Sequence, residues 1–139
     1  MAGQNSVVRQ CAVSGTGGLT VEEGEGGTDT FGIAVLGPGA RLLDNDVSDT
    51  RGNGSGRGRA LFVLHGQGTV VQRNRLVGDS GATGLLVVES HDVLAVRNRF
   101  AGFAEGIVFD GVSSGAYRSN LTSGVAAPYS GGTDAGGNE

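Results

Sequence analysis

Apolar positions along the chain recur with a period of two, and the pattern itself repeats. Four segments align by inspection: GIAVLGPGARLLDNDV from Gly32, ALFVLHGQGTVVQRNRL from Ala60, GLLVVESHDVLAVRNRF from Gly84 and GIVFDGVSSGAYRSNLT from Gly106. Each opens with a small residue and an apolar run, passes a Gly, Ser or Asp turn, and ends a second apolar stretch in Asn. The alternating pairs are Ile33/Val35, Leu61/Val63, Leu85/Val87 and Ile107/Phe109. In the second stretch they are Ala40/Leu42, Thr69/Val71, Val93/Ala95 and Gly115/Tyr117, and after the Asn come Val47, Leu76, Phe100 and Thr122. Such alternation, broken by turn residues, predicts short β-strands, and no segment carries a capped helical stripe.

The Asn positions, Asn45, Asn74, Asn98 and Asn120, are 29, 24 and 22 residues apart. An insertion, RGNGSGRGR from Arg51 to Arg59, accounts for the longest interval and reads as a surface loop. A repeat of this length is the mark of a stacked solenoid. VVRQCAV (Val7 to Val13) reads as one further, degenerate rung, with Cys11 on the inward phase as a small buried residue.

The pattern G-I-x-V, turn, V-x-A/V-x-x-N-x-F resembles the right-handed parallel β-helix repeat of the pectin-lyase-like superfamily, over about residues 32–122. The resemblance implies coils of three short strands stacked at about 4.8 Å, so that equivalent residues form ladders. One is Ile33–Leu61–Leu85–Ile107 and another is Asn45–Asn74–Asn98–Asn120. Stacked Asn amides satisfy one another and the turn backbone, and Asn tolerates left-handed turn geometry. The expectation is an all-β fold, a short right-handed parallel β-helix of about five coils. Residues 1–30 form an irregular first coil, 31–124 the regular repeats and 125–139 a tail or partial cap.

Positions two and four of each first strand then point outward: Ala34/Leu36, Phe62/Leu64, Leu86/Val88 and Val108/Asp110. Seven of these eight are apolar, so this face should be covered. Either the tail folds back, with Val125, Pro128 and Tyr129 over part of it, or the protein self-associates. The second reading is preferred, because the tail is too short for four coils, and it assigns Leu36, Phe62, Leu64, Leu86, Val88 and Val108 to a homo-oligomer contact.

Composition narrows the function classes. Glycine supplies 28 of 139 residues, with two prolines and no G-X-Y period, which excludes collagen and a helix bundle. The net charge of −4 argues against a nucleic-acid partner. No apolar run is long enough for a membrane span, no signal peptide is visible, and a single cysteine excludes an intrachain disulfide. All ten basic residues are arginine, so a phosphate-loop lysine is lacking. The compartment stays open.

Three clusters carry candidate chemistry. Around the Asn positions sit Asp44/Asp46, then Arg73/Arg75, then Arg97/Arg99. Ion pairing between coils is the simpler reading; the alternative is an anion-binding strip for acidic-glycan carboxylates or sulfates, whose oxygens match Arg forks. Glu89, His91 and Asp92 share one turn and are the candidates for binding a metal or shuttling a proton, against the simpler reading of a plain polar turn. Glu22, Glu23, Glu25 and Asp29 lie among glycines and read as a solvated loop rather than a cation site. The sequons at Asn53 and Asn120 read as coincidental. Catalytic members of the superfamily carry clustered Asp residues on one sheet; here that face has only Asp110, and Asn-Thr-Asp, Asp-Asp and Gly-His-Gly signatures are missing. No metal site or cofactor is expected. The reading is therefore a non-catalytic structural or interaction protein, with a carbohydrate-binding or polysaccharide-acting protein as the alternative that the resemblance implies.

Overall fold

The computed structural model of the protein describes residues 3–17 and 26–139. These residues form sixteen strands and no helix. In chain order they are β1 (Val7–Arg9), β2 (Ala12–Ser14), β3 (Thr30–Leu36), β4 (Arg41–Leu43), β5 (Asp46–Ser48), β6 (Gly58–Leu64), β7 (Val70–Gln72) and β8 (Arg75–Val77). Then follow β9 (Thr83–Val88), β10 (Val93–Val96), β11 (Arg99–Ala101), β12 (Glu105–Phe109), β13 (Gly115–Arg118), β14 (Leu121–Ser123), β15 (Ala127–Ser130) and β16 (Thr133–Asp134). Every third strand pairs in parallel, giving three sheets: β3-β6-β9-β12-β15, β1-β4-β7-β10-β13-β16 and β2-β5-β8-β11-β14. This is a parallel β-helix of about five coils.

Ile33, Leu61, Leu85 and Ile107 are direct partners in successive strands, as the repeat alignment requires. With Val35, Val63, Val87 and Phe109 they are buried, and Leu42, Val71, Ala95 and Tyr117 meet them from the second sheet. Val47, Leu76 and Phe100 close the third side.

The small residue that opens each repeat has a steric cause. A Cβ on Gly84 would lie 2.4 Å from Phe100 Cδ1 and 2.8 Å from the Gly106 carbonyl oxygen. At Gly32 it would lie 2.6 Å from Val47 Cγ1. The corner between the third and first sheets thus turns inward against the side chain that follows the Asn, and only Gly or, at Ala60, one methyl fits.

The Asn ladder is continuous. Nδ2 of Asn45, Asn74 and Asn98 donates to Oδ1 of the next Asn at 2.9, 2.9 and 3.1 Å, and their backbone N–H groups donate to the same oxygens at 3.0, 3.0 and 2.9 Å. The second Nδ2 proton goes to Val8, Leu42 and Val71 carbonyls respectively. The left-handed residue at this corner is not Asn itself but the one before it: Gln10, Asp44, Arg73, Arg97 and Ser119 all have φ between 54° and 56°. Asn is there for its amide.

The first coil departs from expectation, and the last residues continue the stack. Cys11 is exposed rather than buried. It occupies the ladder position of the first coil, donating its backbone N–H to Asn45 Oδ1 at 3.1 Å, and its thiol lies 3.3 Å from the Arg9 carbonyl oxygen. Residues 125–139 do not lie across the outer face. Tyr129 is the β15 partner of Ile107, and its ring stacks on Tyr117 with centroids 4.6 Å apart, inside the last coil. Asn138 then extends the ladder, accepting from Asn120 Nδ2 at 3.1 Å and from its backbone N–H at 3.0 Å. The Arg51–Arg59 insertion packs on residues 27–29: Thr28 and Asn53 exchange both backbone hydrogen bonds, and Arg59 pairs with Asp29 at 2.7 Å.

Candidate functional site

The outer face of the first sheet is built from rows in register. Ala34, Phe62, Leu86 and Val108 are cross-strand partners, and Leu36, Leu64 and Val88 form a parallel row. Strand alternation forces them outward once their neighbours point in. The six residues expected at a self-contact, Leu36, Phe62, Leu64, Leu86, Val88 and Val108, therefore share one surface, and all stay partly accessible, Leu36 most at 37%. Phe31 adds to it, its ring 4.6 Å from that of Phe62. One margin is charged but internally neutralised: Arg57 reaches over Thr83 to Glu105, whose carboxylate also accepts from the Thr83 hydroxyl at 3.0 Å. The other margin holds Asp110, His65 and Glu89.

The arginine columns divide. Arg73 grips Asp44 with two hydrogen bonds, of 2.6 and 2.8 Å, and Arg75 donates to both oxygens of Asp46 at 2.9 and 3.1 Å. The hydrogen bonds from Arg73 hold the Asp44 carboxyl below its ordinary range and raise the Arg73 guanidinium. Ion pairing between coils thus occupies half of the four expected ligand-binding arginines. Arg97 and Arg99, one coil further on, have no ion pair among the described residues.

Glu89, His91 and Asp92 are not brought together. Glu89 faces His65 of the preceding coil, with Nδ1 to Oε2 at 3.3 Å, and its backbone N–H donates to Asp110 at 3.4 Å. His91 meets Ser114 Oγ at 3.3 Å, and Asp92 opens the next strand, beside Leu94, Ser114 and Ala116. The reason is stacking: in a coil, side chains meet their counterparts in the adjacent coils rather than their neighbours in the turn. Among the described residues no group of three His, Cys, Asp or Glu could hold a metal ion. Of the acidic loop, Glu22, Glu23 and Glu25 lie outside the described residues. Asp29 is held below its ordinary range, first by the Arg57 backbone N–H that it accepts and then by Arg59.

Sequence reasoning missed two features. Arg118, the last residue of β13, is the register partner of Val96, one coil on from Arg97. A shallow depression of about 330 Å³ also lies on the third sheet, bounded by Arg75, Arg99, Val77, Ala101, Leu121 and Ser123. The paired spacing of Arg75/Val77 and Arg99/Ala101 was a usable signal for it. Compared with known proteins, the chain matches no family model, no curated protein and no solved structure.

Proposed function

We propose that this protein is a non-catalytic β-helix module that associates with a second copy of itself through the outer face of β3, β6, β9 and β12. The observation that carries the reading is the in-register apolar surface around Phe62, Leu64, Leu86 and Val88. A monomer gains nothing from two aligned apolar rows directed at solvent, whereas a second sheet packed on them removes both from water. The same chain as partner is favoured by the margin that holds Arg57 and Arg59: both are already paired, with Glu105 and Asp29, so like faces can meet there without opposing unpaired like charges. The face spans roughly 300 Å² per copy at ordinary strand spacings, about 600 Å² in a dimer, which places the association among weak, transient ones.

The finer assignment is that the coil is of the right-handed, pectin-lyase-like type. Three parallel sheets, coils of 22 to 29 residues and the buried Asn ladder support it, as does the general right-handedness of parallel β crossovers. Sedimentation equilibrium of the wild type beside Phe62→Asp and Leu86→Asp tests the association; a concentration-dependent dimer lost in both variants is expected.

A further inference from the structure

Asp46, Arg75, Arg99 and Leu121 are successive cross-strand partners on the third sheet. Alternation sets Arg75 and Arg99 on its outer face, because Leu76 and Phe100, next to them in the chain, point into the core. Glu139 follows Leu121 in the stack: its backbone N–H donates to the Asn120 carbonyl, and its carbonyl accepts from the Thr122 N–H. The row therefore runs carboxylate, guanidinium, guanidinium, leucine, carboxylate. Arg75 uses Nη1 on both oxygens of Asp46, at 2.9 and 3.1 Å. Arg99 has neither an ion pair nor a side-chain hydrogen bond among the described residues, and Leu121 stands between it and Glu139. Two like charges directly opposite each other repel, and only one of them has a carboxylate. Beside this row Val77, Ala101 and Ser123 are likewise in register. The two rows bound the depression of about 330 Å³. Its floor at Val77 and Ala101 is half-buried and apolar, so one wall donates hydrogen bonds while the other offers only methyl groups.

We propose that this depression binds a small aromatic monocarboxylate, its carboxylate between Arg75 and Arg99 and its ring over Val77 and Ala101. The carboxylate repeats, one coil along, the contact that Asp46 makes with Arg75, and it sets a negative charge between two positive ones. The ring suits the rest of the site, since guanidinium planes and methyl groups both pack against an aromatic face. A hydroxylated body would leave its polar groups against methyls without partners. The site lies on a different sheet from the self-association face and does not depend on it.

Benzoate titrated into the full chain at constant ionic strength, followed by amide NMR, tests the assignment. Expected is a saturable shift at residues 75–77, 99–101 and 121–123, with a Kd on the order of a millimolar. Acetate, which keeps the charge without the ring, and benzamide, which keeps the ring without the charge, should each bind about fivefold or more weaker. Arg99→Gln should weaken benzoate about tenfold, and Arg41→Gln, on the second sheet, should leave it unchanged. The comparison of the three ligands is made on the wild type, so it stands even if Arg99→Gln fails to fold. Benzoate shifts that stay linear to on the order of tens of millimolar overturn the site. So does acetate or benzamide binding as tightly as benzoate, or an equal loss in Arg41→Gln.

Discussion

Asn74 and Asn98 share one oxygen twice over: the backbone N–H and the Nδ2 of Asn74 both donate to Oδ1 of Asn98, at 3.0 and 2.9 Å. Because Asn98 in turn donates to Asn120 and to the Val71 carbonyl, removing its amide strands buried donors and acceptors in the coils on both sides of it. Asn98→Ala is expected to cost about 3 to 5 kcal/mol in urea unfolding. Asn138→Ala, at the end of the ladder, should cost only about 1 kcal/mol.

The corner glycines separate two causes of glycine usage. At Gly84 a methyl would collide with Phe100 and the Gly106 carbonyl, so Gly84→Ala should lower stability by roughly 2 to 3 kcal/mol. At Gly68 nothing lies within 4 Å but φ is +68°, so Gly68→Ala should cost only about 1 kcal/mol, through the backbone alone. Matched denaturation curves for the two variants give the comparison.

Alkaline pH should act on the last coil. Burial raises the Tyr117 and Tyr129 hydroxyls above the ordinary 10.0. A raised folded-state pKa means the neutral ring is favoured, so its contribution is complete below pH 10 and is lost as pH climbs through the folded value. Tyr129→Phe keeps the stack on Tyr117, and its melting temperature should therefore fall less than the wild type's between pH 9 and about 11.

At the acid end the sign is reversed. Asp29 and Asp44 are lowered from 3.8, chiefly by the Arg57 backbone N–H and by the Arg73 hydrogen bonds respectively. Their contribution is present above pH 3.8 and is lost as pH falls through the lowered values. Both pairs are exposed, so the loss is modest. Asp44→Asn should flatten the acid limb of a stability–pH curve and lower neutral-pH stability by the same modest amount.

The interior was legible because it is dictated twice, by alternation within a strand and by repetition between coils. Ile33, Leu61, Leu85 and Ile107 obey both, and so do the four central Asn residues. Legibility failed where one of the two constraints lapsed. Cys11 keeps the alternation but lies in the coil whose β2 pairs on one side only among the described strands, so the inward phase does not bury it. Asn138 follows Asn120 by only 18 residues, with five glycines between the two, which hid the final rung. Glu89, His91 and Asp92 looked like a cluster because they are close in sequence, yet stacking couples Glu89 to His65 and His91 to Ser114. The arginine columns were visible, but which guanidinium each carboxylate takes depends on cross-coil geometry that no linear pattern carries.

Self-association through the first sheet is the central claim, and sedimentation equilibrium of the wild type beside Phe62→Asp measures it most directly. The account predicts a mass rising from 13.9 kDa toward twice that value as concentration approaches roughly 100 µM, and a Phe62→Asp variant that stays at the lower mass. A wild type that remains at 13.9 kDa throughout, or a Phe62→Asp variant that dimerises as well as the wild type, contradicts it.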